Sequence, residues 1–377
     1  MNEPAALPFL RPMRVAELLD ATIRLYRKNF LTFVAIVAVI QVPLLVINGA
    51  LSIPMAQATE EMASYDPYSF DPETFDPDAP PTFPFPSGFG RYFLWWSIQI
   101  LVTATLGLVG SSLMTGALAW AVSERHLERP VTVGNAYRAV LRRWKPLLGA
   151  ALLTLGLYIL LYIFVFVPCI GQIVGIPALA FTYVCLRFVP QAVMLEEQRA
   201  ADALRRSWYL TKPYFWRVLG IVALLWLFSM LITAGPSYIV SFGSAALPVS
   251  YVVRTLIITA VSAVLGLLYI PIRLAGETLV YYDLRVRAEG LDLEMELDAL
   301  TADLEPVEPA LSAAPPAAEP FLSRRDWRNL AILAGVGLVI VILCCAVYFL
   351  VFMAIAAVTM PGMEQILQEM MTVTPLP

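Results

Sequence analysis

Residues 201–230 read ADALRRSWYLTKPYFWRVLGIVALLWLFSM, a basic and aromatic segment that runs directly into a long apolar one. The first part spaces its basic and apolar side chains like the two faces of a helix, which is typical of a helix lying in the headgroup layer of a membrane. The second part has the apolar length that a spanning helix needs, and Pro213 at the junction favours the start of a new helix. The stretch therefore predicts an interfacial helix, here called an elbow helix, followed by a membrane span.

The same pattern occurs twice more, as ELLDATIRLYRKNFLTF at 17–33 and VGNAYRAVLRRWKPLLG at 133–149. Near its start each copy has Asp or Asn followed by Ala, and each brings a Lys close to the apolar run. We therefore predict an all-α membrane protein, a polytopic helical bundle of three repeats of elbow helix plus transmembrane hairpin, with an extra C-terminal transmembrane helix. The simpler interpretation is that any juxtamembrane segment is basic and aromatic. The basic residues expected at the interface are Arg24, Lys28, Arg142, Arg143, Lys145, Arg205, Arg206 and Lys212.

The composition excludes a water-soluble globular protein. Hydrophobic residues make up 59% of the 377 residues and charged residues only 14%, against about 25% charged in soluble domains. At a mean hydropathy of +0.73 the chain lacks enough polar residues for a water-facing shell, whereas lipid as solvent removes the need for one. A sequence pI near 5.2 gives no reason to expect a nucleic-acid partner.

Seven segments are long and apolar enough to span a bilayer. Residues 1–287 are expected to form a six-span membrane domain, with spans near 30–53, 92–122, 147–167, 170–189, 218–242 and 252–282. The remaining segments are an outside acidic, proline-rich loop at 54–91, an acidic Ala/Pro-rich cytoplasmic linker at 288–322, a seventh span within 323–358 and an outside tail at 359–377. The loop at 54–91 is expected to be a solvated segment or, alternatively, a cap or a surface that binds a cation or a partner.

The basic residues predict the orientation. All 25 of them except Arg91, Arg254 and Arg273 fall in segments that alternate consistently with the seven spans. Because Lys and Arg accumulate in cytoplasmic segments, we expect a multi-pass protein of the cell membrane with its N-terminus inside and its C-terminus outside. The first residues lack the pattern of a cleavable signal peptide.

Three stretches resemble a known family: RPMRVAELLDATIRLYRKNF at 11–30, FVPQAVMLEEQRAADALRRSWYLTKPYFWRVLGI at 188–221 and GETLVYYDLRVRAEGLDLEMELDAL at 276–300. They resemble the bacterial membrane-domain family named after the glycerophosphoryl diester phosphodiesterase membrane region, and the resemblance covers roughly residues 11–300. It implies a stand-alone membrane module without the catalytic barrel domain, in a family whose members mostly have no assigned function. Residues 301–377 depart from that pattern.

No catalytic motif accompanies these features. A GxSxG elbow, an HExxH pair, a P-loop and a GxGxxG turn are all absent from the sequence, and His126 is the only histidine. The four cysteines lie within apolar runs and are interpreted as small hydrophobic residues. We therefore expect a protein that is not an enzyme and that needs no cofactor or metal.

Two charges lie within the sixth predicted span. Arg273 and Glu277 are four residues apart and share one helix face, so they are expected to pair, and Asp283 follows near the inner boundary. Charges at membrane depth indicate function by default, which makes these three residues a candidate intramembrane polar site. The alternative is a structural pair whose Arg273 reaches the inner headgroups. Amides from other spans that would complete a polar site are Gln41, Asn48, Gln99 and Gln172.

Together these features predict a non-catalytic membrane module. Its elbow helices would bind membrane lipids, through anionic headgroups at the cytoplasmic face, or a membrane-protein partner. The alternative is a transporter or channel that uses the Arg273 and Glu277 site and a fifth span broken at Gly235 and Pro236. A membrane enzyme is the remaining interpretation.

Overall fold

A computed structural model describes residues 12–63, 89–126, 129–167, 171–245, 250–290 and 323–339, together with Leu343 and Ala346. The secondary structure in these ranges is entirely helical. Six of the helical segments are long and apolar enough to cross a membrane, namely Phe30–Glu61, Phe89–Arg125, Trp144–Val165, Gly171–Leu195, Ala200–Gly243 and Tyr251–Glu289. The predicted all-α polytopic bundle is thereby confirmed.

Three amphipathic helices each precede a pair of spans, as the repeat predicts. The helices of the first repeat are α1 (Val15–Lys28), α2 (Phe30–Ala63) and α3 (Phe89–His126). Those of the second are α4 (Val133–Arg142), α5 (Trp144–Val165), α6 (Ile176–Cys185) and α7 (Val189–Leu195). Those of the third are α8 (Ala200–Thr211), α9 (Phe215–Ser229), α10 (Gly235–Ala245) and α11 (Tyr251–Glu289). The elbow helices are therefore α1, α4 and α8.

Side-chain hydrogen bonds cap the starts of two elbow helices. The Thr132 hydroxyl caps α4 by accepting from the Asn135 N–H at 3.3 Å, and the Glu17 carboxylate accepts from the Arg14 N–H at 3.0 Å at the start of α1. The apolar face of α4 buries Val140, and the phenol of Tyr137 donates to the Ile36 carbonyl at 2.6 Å. Burial raises the pKa of Tyr137 to about 12, so the phenol keeps its proton and this bond at neutral pH.

The second helix is longer than the sequence predicts. The loop was expected to begin at residue 54, but α2 continues through Pro54 to Ala63, and α3 already begins at Phe89. A proline inside a membrane helix is tolerated because neighbouring groups satisfy the backbone that it leaves unpaired. Glu61, expected in the loop, therefore sits on helix α2 and pairs with Arg91 of α3 at 2.6 Å. Residues 64–88 lie outside the described part of the chain.

The fourth and fifth spans are interrupted helices. In the fourth, α6 ends at Cys185 and α7 begins at Val189, and the buried Ser207 hydroxyl repairs this break by donating to the Cys185 carbonyl at 2.7 Å and accepting from the Phe188 N–H at 3.1 Å. In the fifth, a π-helical turn over Met230–Ala234 separates α9 from α10. A break or kink was expected beside Gly235 and Pro236, and the structure has a π-helical turn there while the chain stays helical on both sides.

The chain forms two compact units. One comprises Met1–Leu155 and Val184–Ala313, and the other Gly156–Tyr183 and Ala314–Pro377. In the second unit, residues 324–339 are helical, but most of the predicted seventh span, the linker after residue 290 and the tail lie outside the described residues. In the first unit, α11 contacts α1, α2, α3, α8, α9 and α10, so it is the central helix.

Ion pairs and hydrogen bonds bring the three elbow helices to one end of the first unit. Met13, just before α1, contacts Asp283 near the end of α11. Arg143, just after α4, pairs with Glu197 just before α8, and Arg206 of α8 pairs with Glu289 of α11. We call this end of the unit the elbow end.

Candidate functional site

The central helix divides into two unlike halves. With 39 residues, α11 is about 58 Å long, roughly twice the hydrocarbon thickness of a bilayer. Its first half is mostly apolar and half-buried to exposed, as at Val264 with 56% and Leu268 with 40% exposure. From Leu274 to Val286 almost every side chain is buried, and this half carries most of the charges. The buried half lies at the elbow end and forms three ionic clusters there.

The first cluster surrounds Glu277, whose side chain is 5% exposed. Its carboxylate accepts a hydrogen bond from Arg273 at 3.3 Å, so the pairing expected from the sequence is present. The same carboxylate also pairs with Arg187, which lies between α6 and α7. One carboxylate thus neutralises one of two guanidinium groups. Asn48, a predicted contributor, instead accepts from the Thr103 hydroxyl at 2.6 Å.

The second cluster surrounds Asp283, whose side chain is completely buried. Its carboxylate pairs with Arg217 of α9 and with Arg287, both at 3.0 Å, and accepts from the Met13 N–H at 2.8 Å. The Met13 carbonyl in turn accepts from Arg217 at 2.5 Å and from Arg287 at 2.8 Å. Asp283 therefore fastens the start of the described chain to the beginning of α9 and the end of α11.

The third cluster surrounds Arg206. Its guanidinium group lies between the carboxylates of Glu196, at 2.6 Å, and Glu289. Arg285 approaches the same two carboxylates at 3.3 and 3.2 Å, and the Tyr281 hydroxyl donates to Glu196. Two arginines and two glutamates give a neutral network in which each charge has partners, the arrangement that buried ions require.

The structure separates the predicted elbow residues into two sets. Arg206 and Arg143 are half-buried and paired with carboxylates of the protein, and their position at the lipid interface stays a prediction. Lys212 is also half-buried. Arg24 is exposed but pairs with Asp20 on its own helix.

The other predicted elbow residues remain on the surface. Lys145 lies 5.8 Å from the centre of the exposed Trp144 ring, a cation–π arrangement. Within the described ranges, several exposed basic residues have no carboxylate in ion-pair distance, and they belong to all three elbow regions. We call six of these residues the free elbow cations: Arg27, Lys28, Arg142, Lys145, Arg199 and Arg205.

The sequence did not reveal the partners of the α11 charges. Arg187 and Arg217 come from segments that the charge bias assigned to the cytoplasm, and they lie 90 and 66 residues from the carboxylates they contact. An Asp or Glu in a buried segment predicts that a Lys or Arg pairs with it, but the sequence does not identify which Lys or Arg that is. Among the described residues, no three His, Cys, Asp or Glu side chains are grouped so that they could hold a metal ion.

A model of one protein family matches residues 13–284, more than half of the chain; it is described as a domain of unknown function, DUF7847. No curated protein and no solved structure matches the chain. This match does not test the resemblance to the phosphodiesterase membrane-domain family, which stays a prediction. The match covers the first cluster and the elbow helices, while Arg287 of the second cluster and Arg285 and Glu289 of the third lie beyond it.

Proposed function

Since the chain belongs to the DUF7847 family, whose function is unknown, we propose from its geometry that the protein is a non-catalytic membrane module that binds anionic lipid headgroups through the free elbow cations. The observation that carries this proposal is the division of basic residues at the elbow end. The arginines enclosed around α11 are paired with carboxylates of the protein, whereas the free elbow cations are exposed. An unneutralised cation at a membrane surface attracts anionic lipid.

The surroundings of these cations support a headgroup site. Leu141 beside Arg142 is 61% exposed, Leu31 near Lys28 is 79% exposed, and Trp216 is 43% exposed. Basic residues flanked by exposed apolar and tryptophan side chains are typical of the membrane interface. Each Lys or Arg near an anionic membrane surface contributes about 1 kcal/mol to the attraction. The six free elbow cations together therefore give a preference for anionic over zwitterionic lipid that is large enough to measure in a mutant series.

The burial of Glu277 favours this proposal over a transporter. A transport site must open to a solute, but the Glu277 carboxylate is enclosed by Arg187 and Arg273 and is 5% exposed. A hydroxyl-lined groove does occur in the first unit, yet its lining residues include neither Arg273 nor Glu277. The cluster is best explained as an ion pair that holds the elbow end together.

The orientation belongs to the same proposal: the elbow end faces the cytoplasm of the cell, the side on which anionic lipids give the surface its negative potential. A topology reporter fused after Gly290 is expected inside, and one fused after Pro377 is expected outside. A reporter found outside after Gly290 would contradict the proposed orientation. A reporter found inside after Pro377, with the Gly290 reporter inside, would contradict the predicted seventh span.

Native mass spectrometry of the purified protein with equal phosphatidylglycerol and phosphatidylcholine tests the lipid preference. The wild-type protein is expected to retain phosphatidylglycerol preferentially, and less of it at high salt, because exposed charges are screened. The variant Lys28→Gln/Arg142→Gln/Arg205→Gln is expected to lose the preference. The control is Arg91→Gln, an exposed arginine near the start of α3, away from the elbow helices. A triple variant with the wild-type preference would refute the proposal.

A further inference from the structure

A groove of about 340 Å³ lies between the broken fifth span and α11, away from the ionic clusters. It is lined by Thr233, Ala234, Ser237, Tyr238, Ser241, Ile258 and Ser262. Its volume is at the small end of the range for small-molecule sites, about 300–1,000 Å³. Ser262 is the twelfth residue of α11, about 17 Å along the helix from its start, so the groove lies within the apolar half.

Three hydroxyl groups of this groove, those of Thr233, Ser237 and Ser262, already donate their protons within the protein. Thr233 donates to the Ser229 carbonyl at 2.6 Å, and Ser237 donates to the Thr233 carbonyl at 2.7 Å. Ser237 and Ser262 are 2.8 Å apart. Because a hydroxyl has only one proton and that of Ser237 is engaged, Ser262 is the donor in this pair. These three side chains therefore present oxygen lone pairs, which accept hydrogen bonds.

The backbone adds to the same acceptor character. The π-helical turn Met230–Ala234 directly precedes Gly235, and Pro236 has no N–H to donate to that turn. A carbonyl in this part of the span thus loses its usual helical donor. The side chains of Thr233, Ser237 and Ser262 therefore favour a ligand that donates hydrogen bonds to them.

The charges around the groove restrict the ligand further. No Asp, Glu, Lys or Arg is among its lining residues, and a cation without a counter-charge is costly to hold in an apolar environment. Leu231, Ile239 and Phe242 nearby are 69%, 73% and 79% exposed, so the surroundings suit acyl chains. A neutral donor that reaches the groove through the bilayer is a lipid alcohol.

We infer that this groove binds the free hydroxyl of an uncharged lipid alcohol, with diacylglycerol as the representative of the class. The hydroxyl donates to the lone pairs of Thr233, Ser237 or Ser262, while the acyl chains lie along the exposed apolar surface of the fifth span. This site is independent of the free elbow cations, because it takes a neutral lipid at a position remote from them.

The test uses the full-length protein in phosphatidylcholine nanodiscs with a photoreactive diacylglycerol and, as comparator, the same lipid with its hydroxyl methylated. Wild-type protein is expected to bind the free alcohol about tenfold more tightly than the methyl ether, the size of effect that one lost hydrogen bond produces. Equal crosslinking of the two lipids would overturn the inference, and this comparison requires no variant.

A second arm changes the protein. Thr233→Val/Ser237→Ala/Ser262→Ala is expected to lose most of the crosslinking while keeping its phosphatidylglycerol preference. The matched control is Ser111→Ala, an exposed hydroxyl that donates only within α3, to the Leu108 carbonyl at 3.3 Å. Unchanged crosslinking of a folded triple variant would refute the site. Displacement of the lipid by sodium chloride but not by choline chloride would instead show a cation site and overturn the assignment.

Discussion

The two halves of α11 have opposite relations between polarity and burial. In the first half, apolar side chains such as Val264 face outward and, apart from Arg254 near its start, the polar side chains are neutral hydroxyls. In the second half, charged side chains are buried, and Asp283 is completely enclosed. A bilayer accepts an apolar surface but no uncompensated charge, so the first half meets lipid while the second half carries its charges only because α1, α8 and α9 surround them. The elbow helices thus serve two purposes: their inner faces pair charges and their outer faces carry the free elbow cations.

The largest effect is expected from Asp283→Asn. This change leaves Arg217 and Arg287 without their carboxylate in the interior of the elbow end, and breaking a buried pair costs about 3–5 kcal/mol. Denaturation of the purified protein in detergent measures the loss. Asp20→Asn is the control, because its pair with Arg24 is more than two-thirds exposed and such pairs contribute about 0–1 kcal/mol. Equal effects would mean that the two environments do not differ.

The next effect concerns Glu277. Glu277→Gln is expected to cost about 2–3 kcal/mol, less than Asp283→Asn, because Arg187 and Arg273 keep 17% and 29% exposure and so retain some water. Arg187→Gln/Glu277→Gln should cost less than Glu277→Gln alone, since the double variant also removes the more buried of the two cations that Glu277 pairs with. A double variant less stable than either single one would contradict a structural pair.

A smaller effect marks the end of the charged half. Gly290 ends α11 in the left-handed conformation, with a φ of 66°, where a Cβ costs about 1 kcal/mol. Gly290→Ala is therefore expected to lower stability by about that amount and Gly290→Asn by less. Gly220→Ala, where an added Cβ meets no atom within 4 Å, should be neutral or slightly stabilising. Equal results at both glycines would show that Gly290 has no capping role.

The fold was largely predictable because its signals are local. The basic and aromatic spacing before Lys28, Lys145 and Lys212 predicted three amphipathic helices, and the apolar runs that follow predicted the spans. The errors have local causes as well. In a water-soluble protein Pro54 would indicate the end of a helix, because proline has no N–H to donate to the preceding turn. Within a membrane bundle neighbouring groups satisfy the backbone group that proline leaves unpaired, and α2 continues past Pro54.

The site was less predictable because its pairings are long-range. The Arg273 and Glu277 pair follows from a spacing of four residues, but the same rule could not find Arg187. Likewise Arg206 has the composition and position of a lipid-facing elbow residue, and only the fold shows it between Glu196 and Glu289. Counting basic residues predicts topology, whereas dividing them into paired and free sets requires knowing which carboxylates they meet.

The most direct test of the account asks whether the elbow end recruits anionic lipid locally. In a variant without the four native cysteines, a fluorophore is placed at Leu141→Cys or at Phe242→Cys, positions that are 61% and 79% exposed, and the protein is reconstituted with brominated lipids that quench it. Brominated phosphatidylglycerol is expected to quench the fluorophore at position 141 more than brominated phosphatidylcholine does, and the two lipids should quench equally at position 242. Equal quenching by the two lipids at position 141 would contradict the proposal that the free elbow cations bind anionic headgroups.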